Sequence, residues 1–117
     1  MIREKLVEEY IYLVNKYYPH IGYLLSYCYL TVIDGWSKKQ ERSYHYLGIY
    51  YAAQTGRSIL LYQNELKELA ENLGLFEVIF LNATRIVRDP LSNLKTQNPR
   101  LWLELYWIAT KIDSQID

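Results

Sequence analysis

Glu41, Arg42 and His45 are the residues whose types and spacing come nearest to chemistry. His45 lies four positions after Glu41, so on one helix face the carboxylate could orient the imidazole or share a metal ion with it. A zinc site needs at least a third ligand. The other histidine, His20, is distant in sequence, and neither a His-Glu-x-x-His nor a paired Glu-x-x-His spacing occurs. The single Cys28 rules out an internal disulfide and any cysteine cluster within one chain. There is no Gly-rich phosphate loop, no nucleophile elbow and no Ser/His/Asp arrangement. The residues therefore lead to an expectation of a non-enzymatic protein without catalytic residues, metal or cofactor, in which Glu41 and His45 form an exposed ion pair on a helix.

A second pattern is one of binding. Lys38, Lys39, Arg42 and Arg57 are interleaved with Trp36, Tyr44, Tyr46 and Tyr50, and cations beside aromatic rings can meet phosphates while the rings stack on bases. Arg85, Arg88, Lys95 and Arg100 make a second basic stretch around Asp89-Pro90. Lys38, Lys39, Arg42, Arg85 and Arg88 are the candidate nucleic-acid contacts. Asp34, Glu41, Asp89 and Glu104 dilute both stretches, and Glu65, Glu68, Glu71 and Glu77 make the segment between them acidic.

Arg42 and His45 also resemble the Arg–His motif of the HEPN ribonucleases, an all-helical family of similar size. That family places four to six residues between the two; here only Ser43 and Tyr44 intervene, and the ribonuclease activity the resemblance implies does not carry over. Leu47, Gly48 and Tyr51 resemble part of one tetratricopeptide unit, but Gly56 falls one place late and no second copy follows.

These residues must be positioned by elements, and the sequence predicts helices throughout. In Ile2 to Tyr18, Leu6, Tyr10, Leu13 and Tyr17 form a stripe with Val7, Ile11 and Val14 beside it, and Pro19 breaks that helix. His20 to Ile33 has the Tyr, Val, Ile and Thr content of a strand. Its length, and a small-residue groove at Gly22 and Ser26, suit a helix better. Ser37 with Gln40 reads as a capping box for a third helix that Gly56 stops, with Gly48, Ala52 and Gly56 on one small-residue face. Ser58 caps a fourth helix with a seam of Ile59, Tyr62, Leu66, Leu69 and Leu73, ended by Gly74. Leu75 to Arg88 reads as a fifth. Asp89-Pro90 and Asn98-Pro99 each pair a good N-cap with a first-turn proline, giving a short turn and then a final helix from Pro99 to about Asp113. The expected fold class is all-α, a compact bundle of five to six short helices, with residues 1–117 as a single helical domain.

Composition narrows function by exclusion. Thirteen Lys and Arg balance thirteen Asp and Glu, so no global field draws the chain to nucleic acid or an anionic membrane, and association between copies is electrostatically tolerated. The longest nearly apolar run, Ile21 to Ile33, is too short to span a bilayer as a helix, and the charged N-terminus carries no secretory signal. A cytoplasmic protein without membrane contact is expected. Thirteen Tyr with three Trp favour an interface, because Tyr pairs a large apolar body with a hydroxyl that tolerates water. The last helix concentrates that tendency. Leu101, Leu105, Ile108 and Ile112 make one apolar stripe, while Trp102, Leu103, Tyr106 and Trp107 fall on others, and so small a domain cannot encircle them all. Those four are the candidate interface of a self-associating or partner-docking protein. A homodimer is the default form.

Overall fold

The computed structural model describes the backbone of residues 2–116 and the side chains of residues 4–36 and 38–110. The first helix forms as its periodicity predicts. α1 (Ile2–Tyr17) buries Tyr10 and Val14 completely, with Leu6, Val7, Ile11 and Leu13 packed beside them, while Tyr17 stays exposed. Tyr18 leaves helical geometry at φ −139° and ψ 72°, as a residue before proline does, and Pro19 opens the short α2 (Pro19–Leu25).

From there the all-α expectation is overturned. The chain turns at Ser26–Cys28 and enters β1 (Tyr29–Ser37), reverses through a four-residue turn and returns as β2 (Arg42–Tyr51). α3 (Gly56–Leu61) and α4 (Gln63–Asn72) then carry the chain back, so that β3 (Glu77–Asn82) pairs parallel to β2. α5 (Ala83–Arg88), α6 (Leu94–Gln97) and α7 (Pro99–Ile116) follow. The result is an α/β fold built on a mixed three-stranded sheet of order β1-β2-β3, with seven α-helices among the described residues. It is not a helical bundle.

The physical reason lies in β2, the central strand. Its two faces are both apolar, so Tyr46 to Tyr50 reads as a continuous run without the alternation that marks a half-exposed strand. Pleating sends Leu30 and Val32 of β1, Leu47 and Ile49 of β2, and Val78 and Phe80 of β3 into a core closed by α1 to α4. Tyr29, Tyr50 and Leu81 point the other way, into a smaller core with Ala83, Leu105 and Ile108. The Tyr10 hydroxyl donates to the Leu66 carbonyl at 2.8 Å and pins α1 to α4. Burial holds this phenol well above its ordinary pKa. It also pushes the Cys28 thiol up to about 12.

Several local expectations fall with the bundle. Ser37 and Gln40 flank or occupy the hairpin turn and cap no helix. Gly56 lies at φ −56° in the first position of α3, so it starts a helix where it was expected to stop one. The seam expected from Ile59 to Leu73 is broken at Tyr62, although Ile59, Leu66 and Leu69 are buried. Gly48 is a strand residue facing Ile33 and not part of a small-residue helix face, and Gly22 lies against Asn15 of α1. Gly74 does end its helix, at φ +79°. Asn98 does cap the last one, its Oδ1 accepting from the Leu101 N–H at 3.2 Å. Ile112 has its side chain outside the described residues.

Candidate functional site

Sequence spacing put Glu41 and His45 on one helix face; the hairpin separates them. Glu41 occupies the turn at φ 52°, and His45 lies on β2, where antiparallel register sets it opposite Asp34. Its Nδ1 and the Asp34 Oδ1 are 2.7 Å apart, both side chains substantially exposed. Asp34 is the partner that sequence reasoning missed, because the two are eleven residues apart and meet only through strand pairing. Among the described residues no group of three His, Cys, Asp or Glu side chains gathers as a metal site would.

The five candidate nucleic-acid contacts divide into two groups. Lys38, Lys39 and Arg42 sit at the hairpin turn, all exposed, and the Arg42 guanidinium lies 4.8 Å from the Tyr44 ring centroid. Arg85 and Arg88 are on α5, which follows the far end of β3, where Asn82 pairs with Tyr51. Nine residue steps along β2 separate the two groups, about 30 Å at the usual strand rise. One continuous basic surface is therefore not formed. Arg85 and Arg88 instead flank an open depression of about 540 Å³ with Ala53, Asn82, Thr84 and Asp89.

Helix α7 resolves the crowding that its composition implied. Leu105 and Ile108 pack into the second core with Tyr50, Leu81 and Ala83, Ala109 is buried, and Leu101 is half-buried. Leu103, Tyr106 and Trp107 face outward with 60%, 45% and 59% of their surface exposed. The spacing of these three is i, i+3, i+4, one stripe of a helix surface. Trp102 borders it half-buried, stacked on Tyr106 at 5.1 Å between centroids, with the Lys95 ammonium 4.9 Å from its ring. Of the four residues expected at an interface, three present broad apolar surface, and Trp102 supports their edge.

In a third region Phe76, not singled out in the sequence, joins Tyr44 and Tyr46, two of the rings named there as candidate stacking partners. Ile33, Tyr46 and Ile79, on the hairpin half of the second sheet face, belong to neither core among the described residues. Phe76, 54% exposed, packs there against Tyr44 at 4.4 Å and the edge of Tyr46 at 5.4 Å between ring centroids. On the first face Trp36 is 65% exposed. Phe76 carried no sequence signal, since it precedes β3 and reaches the hairpin only through the parallel crossover. No helix among the described residues is long and apolar enough to cross a membrane. No protein-family model matches the chain, and no curated protein or solved structure matches it either.

Proposed function

We propose that this protein acts by binding rather than by catalysis, and that it self-associates as a two-fold homodimer through the outer stripe of α7. The single observation that carries the reading is the exposure of Leu103, Tyr106 and Trp107 on a helix whose opposite side is already satisfied by the core. An apolar stripe at i, i+3 and i+4 is the pattern that inserts into the matching stripe of a second helix. A two-fold axis across α7 brings the same three residues from both copies together, and the zero net charge of the chain removes a general repulsion between them.

The magnitude decides what kind of dimer this is. Covering the exposed parts of three large side chains gives roughly 1–2 kcal/mol each, or about 6–12 kcal/mol from two copies. Association entropy opposes this with about 4–15 kcal/mol. The surplus is at most about 8 kcal/mol, so the stripe supports a weak dimer, micromolar at its tightest, with Trp102 and Lys95 at its rim. A reducing cytosolic setting suits the lone, largely buried Cys28.

Sedimentation velocity across concentration tests the reading. The wild-type chain is expected to move from 14.0 kDa toward twice that mass as concentration rises from the micromolar toward the millimolar range. Trp107→Glu is expected to stay monomeric with an unchanged circular dichroism spectrum. A wild-type chain that remains monomeric at millimolar concentration overturns the proposal, as does a Trp107→Glu variant that still dimerises.

A further inference from the structure

We infer that the end of the β1–β2 hairpin is a second, separate binding surface, and that it takes single-stranded nucleic acid. Three features meet there. Lys38, Lys39 and Arg42 outnumber Glu41 in the turn, and among the described residues none of the three cations is in an ion pair with a carboxylate. The other nearby carboxylate, Asp34, is engaged by His45. The turn is thus locally cationic on a chain that is neutral as a whole, which is the charge complementarity a phosphate backbone needs.

The second feature is Trp36. It lies two residues before Lys38, is 65% exposed, and is paired across the strand with Ser43, whose side chain is too small to cover an indole. An indole face left open beside cations is a stacking platform for a base, and every base offers the π-face that such a platform takes. The third feature is on the reverse side of the same hairpin end, where Arg42, Tyr44 and Phe76 follow one another at 4.8 and 4.4 Å and Phe76 presents a second open ring. Stacking requires bases that are not already stacked on each other. Single strands meet that requirement and duplexes do not.

This surface is independent of the α7 stripe. Neither Trp36 nor the turn cations belong to the core that α7 closes, so failure of the dimer leaves the inference standing. It also excludes Arg85 and Arg88, which the fold places at the opposite end of β2. That exclusion supplies the internal control.

The test is fluorescence anisotropy with a labelled oligothymidylate of about twelve nucleotides, within the length one small domain can track, and with a duplex of equal length. Wild-type protein is expected to bind the single strand more tightly than the duplex. With three phosphate contacts the affinity should fall about 20-fold when salt rises fourfold. Trp36→Ala should weaken binding at least about 5-fold while Trp36→Phe restores most of it, and Lys38→Glu with Lys39→Glu should abolish it. Arg85→Glu with Arg88→Glu should change it less than about twofold, since those side chains lie outside the surface. Absence of binding by wild-type protein overturns the inference. So does equal affinity for duplex, an unaffected Trp36→Ala variant, or an equal loss on reversing Arg85 and Arg88.

Discussion

α1 and α7 are both long helices that bury one stripe against the sheet, α1 on the face closed by α1 to α4 and α7 on the other. Their outer sides differ. α1 turns Glu4, Lys5, Glu8, Glu9, Asn15 and Lys16 to solvent, with its two outward tyrosines, Tyr12 and Tyr17, carrying hydroxyls. α7 turns out Leu103, Tyr106 and Trp107. The fold asks the same of both helices, an apolar inner stripe. The apolar outer stripe of α7 goes beyond what that inner packing asks for, and the proposed dimer contact is the use that would account for it.

The largest effect that could break this contrast comes from comparing the two sides of α7 directly. Leu105 is fully buried and Leu103 is 60% exposed, two positions away on the same helix. Leu105→Ala is expected to lose about 2–5 kcal/mol of stability through lost burial and an unfilled cavity. Leu103→Ala should lose less than about 1 kcal/mol in dilute solution, where the chain is monomeric, and should weaken self-association instead. Equal losses in urea denaturation would mean that the outer side is internal packing.

The next effect distinguishes the two cores by alkali. The α1 side holds Tyr10, its phenol raised by burial, and Cys28, raised to about 12 by the same cause. The α7 side holds Tyr50, raised by burial and by the nearby Tyr29, though less enclosed. The unfolded chain releases these protons near pH 8.5 for the thiol and about pH 10 for the phenol, earlier than the folded chain does. The thiol's contribution to stability is thus fully present below about pH 8.5 and is lost as pH rises toward about 12, while that of the phenols is present below about pH 10 and is lost above it. Cys28→Val and Tyr10→Phe should each move the alkaline unfolding midpoint upward. Tyr50→Phe should move it less, and a larger shift there would place the more enclosed core under α7.

Much of the helical part was legible in the sequence, and the sheet was not. Tyr10 and Val14, the Pro19 break, the Gly74 stop and the Asn98 cap are local features, readable because their partners lie within a turn or two. The hairpin was obscured because β2 is buried on both faces, and because Ser37 and Gln40 imitate a capping box. β1 kept its Tyr, Val, Ile and Thr signature, which was outweighed by the Gly22 and Ser26 spacing. The candidate surfaces followed the same division. Leu103, Tyr106 and Trp107 could be named from helical periodicity alone. The neighbours of Trp36, the Asp34–His45 contact and the role of Phe76 depend on strand register, which no short window contains. Likewise, the turn cations Lys38, Lys39 and Arg42 and the α5 cations Arg85 and Arg88, grouped by residue type in the sequence, lie at opposite ends of β2 because the parallel crossover delivers α5 to the far end of the sheet.

The smallest expected effect is also the sharpest test of the comparison, because it gives α7 the outer chemistry of α1. Leu103→Glu together with Trp107→Lys places a Glu four residues ahead of a Lys, the favourable orientation for an ion pair along a helix, worth about 0.3–0.5 kcal/mol. Against this stands the loss of the buried part of the Trp107 side chain, which is the smaller part of its surface. With the buried part of Leu103 counted too, the loss outweighs the gain, and monomer stability by urea denaturation should fall by about 1–2 kcal/mol. The same pair removes both apolar anchors from each side of a two-fold contact and sets charged groups there in their place. Dimer formation should then be lost across the whole concentration range, while oligonucleotide binding at the hairpin is unchanged. A variant that loses more than about 2 kcal/mol would show that Leu103 and Trp107 hold the monomer together, and α1 and α7 would then differ in packing rather than in purpose.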